Sequence, residues 1–224
     1  MGDPATWQRS VEEFVLDQID APPSRVLEVG CGEGELARTL ARGGHSVTAI
    51  DPQAPEGPIF RRTRIEEFSD PAQFDHVVAI LSLHHVEDLG LALEKIADLL
   101  RAGGALVVVE FAWDHIDEAT AQWALERLPA ASSEGHEGHS WLERCCQGER
   151  GVAEWAERGF HGSGRMRDEL GRRFAERHFE WVPYLYPDLG GDVSEAEELA
   201  AIEAGAINAT GFRYVGTKEA SAAL

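Results

Sequence analysis

Basic residues are scarce in this chain. Its 224 residues hold 40 Asp and Glu against 20 Lys and Arg, a formal net charge of -20. Binding along a phosphate backbone needs clustered Lys and Arg, and no such run occurs. Arg61, Arg62 and Arg64 come nearest and read as a solvated strand face. DNA, tRNA and rRNA are therefore not expected as partners. Cysteine is scarce too. Cys31, Cys145 and Cys146 are an odd number, which does not suggest a disulfide framework and suits a reducing compartment. No stretch has the roughly 20 apolar residues that span a bilayer, and no secretory signal pattern is visible. Met1-Gly2 with Thr6 formally matches a myristoylation pattern, but nothing else in the chain points to a membrane partner. The expectation is one cytoplasmic domain, long enough to bury a full core.

Several motifs are missing or incomplete. His136-Glu-Gly-His139 and Cys145-Cys146 lack the spacing of His-Glu-x-x-His or Cys-x-x-Cys, so no metal is expected. The dinucleotide turn Gly-x-Gly-x-x-Gly is only half present: Gly30 and Gly32 fit it, and its third position falls on Glu35.

What is present centres on Val26-Leu-Glu-Val-Gly-Cys-Gly-Glu-Gly-Glu-Leu-Ala37. An apolar strand runs into glycines, and a helix pattern starts at once near Glu33. Gly30, Gly32 and Gly34 can take backbone angles closed to other residues. The helix would aim its free N–H groups at a ligand in the turn. Glu28 places an acid on the strand beside it, which suits a cationic ligand better than a pyrophosphate. A tight turn without a ligand is the plain alternative.

The order of elements continues as in a doubly wound α/β fold. Residues 5–19 form an amphipathic helix stopped by Pro22-Pro23. Strand 26–29, helix 34–42 and strand 46–50 follow, with Gly43-Gly44 ending the helix. The second strand closes on Asp51-Pro52, where an acid can accept from ribose hydroxyls. Residues 59–65 read as a short third strand, leading into Ile65-Glu66. Strand 74–81 is apolar nearly throughout, hence buried on both faces, and runs into Ser82-Leu-His84-His85-Val86-Glu87-Asp88. A helix over 89–100 ends at Gly103-Gly104, and 105–110 is the fifth strand. Helical patterns then appear near 116–128, 140–147, 151–158 and 164–176. A strand over 179–185, an acidic helix over 194–205 and a last strand over 207–216 complete the chain.

Glu-x-Gly-x-Gly-x-Gly, the Leu83-His84-His85 motif after strand four, and Leu-Leu-Arg-Ala-Gly-Gly-Ala-Leu-Val-Val into strand five occur in order. Together they resemble the class I S-adenosylmethionine (SAM)-dependent methyltransferases of the type 11, UbiE-like kind, over residues 24–112. The resemblance implies a Rossmann-like seven-stranded, mostly parallel sheet with an antiparallel last strand and helices on both faces. It also implies an N-terminal helix or lid (1–23), a cofactor core (24–112), a helical substrate cap after strand five (113–176) and a C-terminal completion of the sheet (177–224).

It further implies that SAM is the cofactor and a small molecule the acceptor; a homodimer is compatible with it, and a basic protein acceptor is left open by the acidic charge. Glu28, Gly30, Cys31, Gly32 and Gly34 would hold the methionine end, with Cys31 acting through its backbone. Asp51 and Pro52 would take the ribose, Ile65 and Glu66 the adenine, and Leu81 and Ser82 the floor below them. His85 is the first candidate for a general base, with a purely loop-shaping role as its alternative. His115 is the second, oriented by Asp114 or Glu110. Trp7, His84, Trp113, Trp141 and His161 are candidate substrate contacts, against the plain reading that the tryptophans tie the cap helices together. Two alternatives stand beside the enzyme: a regulatory SAM-binding protein, and an NAD(P)-dependent oxidoreductase.

Overall fold

A computed structural model describes residues 4–128, 143–146, 150–189 and 193–219. The chain divides into two compact units. One gathers Glu12–Glu110, Arg165–Phe179 and Arg213–Leu224; the other gathers Met1–Val11, Phe111–Gly164 and Glu180–Phe212.

The first unit is built on the sheet. Strand β1 (Arg25–Val29) is apolar except for Arg25 and Glu28 and is buried over Val26–Val29. It lies parallel between β2 (Ser46–Asp51) and β4 (Phe74–Ile80), so Glu28 sits level with Ala49 on one side and Val78 on the other. The helix between β1 and β2, Glu35–Arg42, buries Leu36, Ala37 and Leu40, a stripe of one helical face. The next helix, Leu89–Leu99, is capped by Asp88, whose side chain accepts from the Leu91 N–H at 3.0 Å. It buries Leu89, Ala92, Leu93, Ile96 and Leu99. Strand β3 (Phe60–Arg62) is only three residues long.

With β5 (Leu100–Phe111), β6 (Ala175–Val182) and β7 (Gly211–Thr217), the strands run in the order β3-β2-β1-β4-β5-β7-β6. The sheet has six parallel strands and an antiparallel last one, as the Rossmann-like reading expects. Gly103 donates to the Lys218 carbonyl and Lys218 to that of Gly104, while Ala112 donates to Thr210; β7 therefore runs against β5. The winding reverses between β1 and β4. In an open α/β sheet a crevice forms at that point, outside the C-terminal ends of the strands.

Two of the boundaries that differ from the sequence reading have a visible cause. Gly103 and Gly104 do not end the helix. It stops at Leu99, Leu100 already pairs with Phe74, and the ladder resumes only at Ala105 opposite His76. The glycines form the bulge between, with Gly103 at φ 74° and both of them tied to Lys218. Strand β6 ends at Val182 rather than Leu185, because Glu198 captures the next backbone donors. That carboxyl group, fully buried at 0% exposure, accepts from the N–H groups of Tyr184 (2.9 Å), Leu185 (3.1 Å) and Tyr186 (2.7 Å).

Glu198 belongs to the second unit, with helices Glu118–Leu125, Arg150–Glu157 and Glu195–Glu203. Aromatic rings link its segments. Trp7 meets Tyr184 edge-on at 6.1 Å, Tyr184 stacks on Phe111 at 4.5 Å, and Trp155 contacts both Phe111 and Trp113. The expected helix at 140–147 lies partly outside the described residues.

Glu198→Ala removes the acceptor of three backbone N–H groups at once. Urea unfolding should register a loss on the order of 3 kcal/mol, about 1 for each orphaned amide. Glu198→Gln, which keeps an acceptor, should lose clearly less. A Glu198→Ala loss well below 1 kcal/mol would mean that the clamp does not contribute to stability.

Candidate active site

The glycine turn is locked by its neighbours. Gly30 and Cys31 both donate to the Ile50 carbonyl (2.8 and 3.1 Å), and Gly34 donates to that of Cys31 (2.7 Å). Gly30 and Gly34 have φ of 74° and 78°, angles a side chain rarely adopts. Space demands glycine as well: a Cβ on Gly30 would meet Ser82 at 2.3 Å, and one on Gly34 would meet the Phe60 ring at 2.3 Å. Over Gly32, by contrast, nothing lies within 4 Å of where a Cβ would be. The helix expected from Glu33 begins at Glu35, because Gly34 in its left-handed conformation forms the N-cap.

Beside this turn lies a cavity of about 350 Å³, a volume suited to a small-molecule ligand. Of the residues picked from the sequence, Gly30, Asp51, Pro52, Ile65, Glu66, Leu81, Ser82 and His85 line it. Asp51 closes β2 and accepts from the N–H groups of Gly32 (3.2 Å) and Gln53 (2.7 Å) through separate oxygens. Glu28, Cys31, Gly32 and Gly34 stand outside the lining. Seven further residues complete the lining, Arg64 and Glu87 among them. Arg64, read as a solvated strand residue, and Glu87, in the stretch after strand four, form an exposed ion pair of 3.0 Å on the cavity wall. Asp88, not Glu87, caps the helix. No group of three or more His, Cys, Asp or Glu residues able to hold a metal occurs among the described residues.

The electrostatics of the site come from acids taken out of water. Glu28 is 4% exposed, and its carboxyl group is pushed up to about 8. Burial is the main cause, the Ala37 backbone hydrogen bond opposes it, and the Asp51 charge adds to it. One Glu28 oxygen, one Glu66 oxygen and the Ser82 hydroxyl are buried with no hydrogen-bond partner. Burial, with Glu28 and Asp51 behind it, also raises the Cys31 thiol to about 12, so this cysteine stays an inert thiol in the turn.

After β4 the chain makes a single 3₁₀ turn, Leu83–His85. The two histidines part company there. His85 is exposed and on the cavity wall. Its pKa lies below the usual histidine value, mainly through burial of part of the ring and then through His84, against an opposing pull from Glu110. A neutral ring can accept a proton. His84, expected at the substrate, is instead buried, with Nδ1 2.6 Å from Glu110 Oε2.

The remaining candidates belong to the second unit. His115 stacks on Trp181 at 4.0 Å. Neither expected orienter serves it in the geometry found: Glu110 is engaged with His84, and Asp114 accepts from the N–H groups of Ser163 (2.8 Å) and Gly164 (3.4 Å). Trp113 and His161 are both buried, and the Trp113 indole N–H donates to the His161 carbonyl at 3.1 Å. Their contact with each other favours the structural reading of this pair. Trp7 packs on Tyr184. Trp141, His136 and His139 lie outside the described residues.

A family model described as a methyltransferase domain matches residues 3–182. The chain belongs to this methyltransferase family. The cofactor of the family is SAM. Among curated relatives, an uncharacterised methyltransferase, Rv0089, of Mycobacterium tuberculosis is 40% identical over 101 residues, covering 38% of this chain and 50% of the relative. A ubiquinone biosynthesis O-methyltransferase of Xylella fastidiosa is 36% identical over 112 residues, covering 43% of this chain and 45% of the relative. The chain thus spans about half the length of the curated relatives it matches. Among solved structures, the N-methyltransferase NodS of Bradyrhizobium japonicum shares the fold, with a TM-score of 0.55 and 16% identity over 96% of this chain and 98% of that one. NodS has also been solved with S-adenosylhomocysteine. No helix among the described residues is long and apolar enough to cross a membrane.

Proposed function

We propose that this chain is a SAM-dependent methyltransferase that acts on a small-molecule oxygen or nitrogen nucleophile, with His85 as general base. One observation carries the reading: Glu28 beside the glycine turn and Glu66 on the cavity wall each keep one buried oxygen without a donor. The orphaned oxygens of Glu28 and Glu66 are acceptors, and SAM brings an ammonium group and an adenine amino group. Glu28 would receive the ammonium at the turn, Asp51 the ribose hydroxyls, and Glu66 the adenine amino group over Ile65. Family membership removes the nicotinamide alternative.

SAM supplies a methyl group on a sulfonium, which leaves as a neutral thioether. The chain's contribution is to bind, align and accept a proton. Alignment converts a bimolecular displacement into one within a complex. The proton released by a hydroxyl or an amine passes to the neutral His85 ring.

Calorimetry with SAM and S-adenosylhomocysteine tests the reading directly, and a folded chain that binds neither overturns it. Asp51→Ala should weaken cofactor binding by about 1.5–3 kcal/mol, the range for hydrogen bonds to a charged group. His85→Ala should leave that affinity nearly intact and lower turnover. Unchanged turnover would assign His85 to loop structure alone.

Glu28 makes cofactor affinity depend on pH. In the free chain its carboxyl group titrates at about 8, so it is mostly protonated at neutral pH. An ammonium partner favours the carboxylate, and binding must then expel a proton. Affinity should therefore rise with pH up to about 8, by at most about tenfold per unit, and level off above. Calorimetry at pH 7 in two buffers of different ionisation enthalpy should show net proton release, which Glu28→Gln abolishes. Equal heats in both buffers would exclude this role for Glu28.

A further inference from the structure

Strand β5 ends its run in the sheet unit on a carboxyl group that takes no part in methyl transfer itself. Glu110 is fully buried. One of its oxygens accepts from the backbone N–H groups of Ser82 (2.8 Å) and Leu83 (2.5 Å), and the other lies 2.6 Å from His84 Nδ1. These three partners are consecutive in the loop that follows β4. Immediately before them Leu81 holds φ at 48°, the left-handed region that residues other than glycine rarely occupy. It stays in line with the sheet, its N–H donating to the Val109 carbonyl at 2.8 Å. Immediately after them comes His85, whose ring lies 4.0 Å from that of His84.

We propose that Glu110 is the positioning residue of this site: by gathering residues 82–84 on one carboxylate it holds Leu81 in its left-handed conformation and presents the His85 ring to the cofactor cavity. A backbone conformation of this kind persists only where surrounding contacts over-determine it, and such conformations concentrate at functional sites. Three donors converging on one buried carboxylate are contacts of that sort. A carboxylate is needed rather than any polar group, because it offers two oxygens and no competing donor to the loop. Its charge also opposes the burial and the His84 interaction that depress the His85 pKa. The other charged groups on the cavity wall are Asp51, Glu66 and the Arg64–Glu87 pair; none of them bonds to the loop amides that Glu110 holds.

The role of His85 as a base rests on the methyltransferase reading, but its placement by Glu110 does not, so the test uses the ligand-free full-length chain. Histidine-ring NMR should find His85 titrating at lower pH in Glu110→Gln than in the unaltered protein, with His85→Gln fixing the assignment. The Ser82 and Leu83 amides should exchange with solvent faster in Glu110→Gln, and S-adenosylhomocysteine should bind about tenfold more weakly, as for loss of one charge-assisted hydrogen bond. A folded Glu110→Gln chain with His85 titration and both amides unchanged overturns the proposal. If that variant does not fold, exchange in the unaltered protein decides: slow exchange at Ser82 and Leu83 supports it, and free exchange overturns it. Failure to bind S-adenosylhomocysteine in the unaltered protein would remove the cofactor reading and leave the NMR result standing.

Discussion

Taking a carboxyl group out of water costs several kcal/mol unless donors surround it, and three glutamates of this chain are buried in that way. Two of them are fully supplied. Glu198 holds three successive backbone N–H groups, and Glu110 holds two of them and an imidazole. Each fixes a stretch of chain that leaves the regular ladder, one after β6 and one after β4. Glu28 is different. It is as buried as a core residue, yet one of its oxygens has no partner and its protonation is displaced to about 8. The same residue type is thus structural where its donors come from the chain. Where they are missing, it is the natural seat of a ligand's donor.

That distinction explains which parts of the molecule were legible in the sequence. The alternation of strands and helices over residues 24–112 could be read because glycines and apolar runs act locally. Gly34 caps its helix, and Asp51 ends its strand, wherever the rest of the chain lies. Most residues assigned to the cofactor also face one cavity, since they sit at the ends of parallel strands and strand order alone brings those ends together. The errors came where a distant partner decides. Gly103 and Gly104 look like a helix stop until Lys218 pairs with them. Residues 183–185 look like strand until Glu198 takes the amides of Tyr184, Leu185 and Tyr186. His85 reads as a base and His84 as a substrate contact, but Glu110, 26 positions beyond His84, engages the His84 ring in the interior and leaves His85 on the cavity. The Arg64–Glu87 pair escaped notice for the same reason, because neither residue carries a local signal.

The charge of the chain acquires a use at this site. Asp51, Glu66 and Glu87 line the cavity with a single cation, Arg64, and Arg64 is paired with Glu87. The surroundings of the cavity are therefore negative, and the long-range field of a chain at -20 adds to them. On the proposed reading this favours SAM, which carries a sulfonium and an ammonium charge beside one carboxylate. Methyl transfer removes the sulfonium charge and leaves the ammonium. The product therefore keeps its hold on Glu28 and loses attraction to the rest of the acidic wall. On that reading the excess of acids would help to separate a charged donor from its spent form. The separation should weaken with salt, because the exposed members of that wall are screened within a Debye length of about 8–10 Å and only buried Glu28 is not.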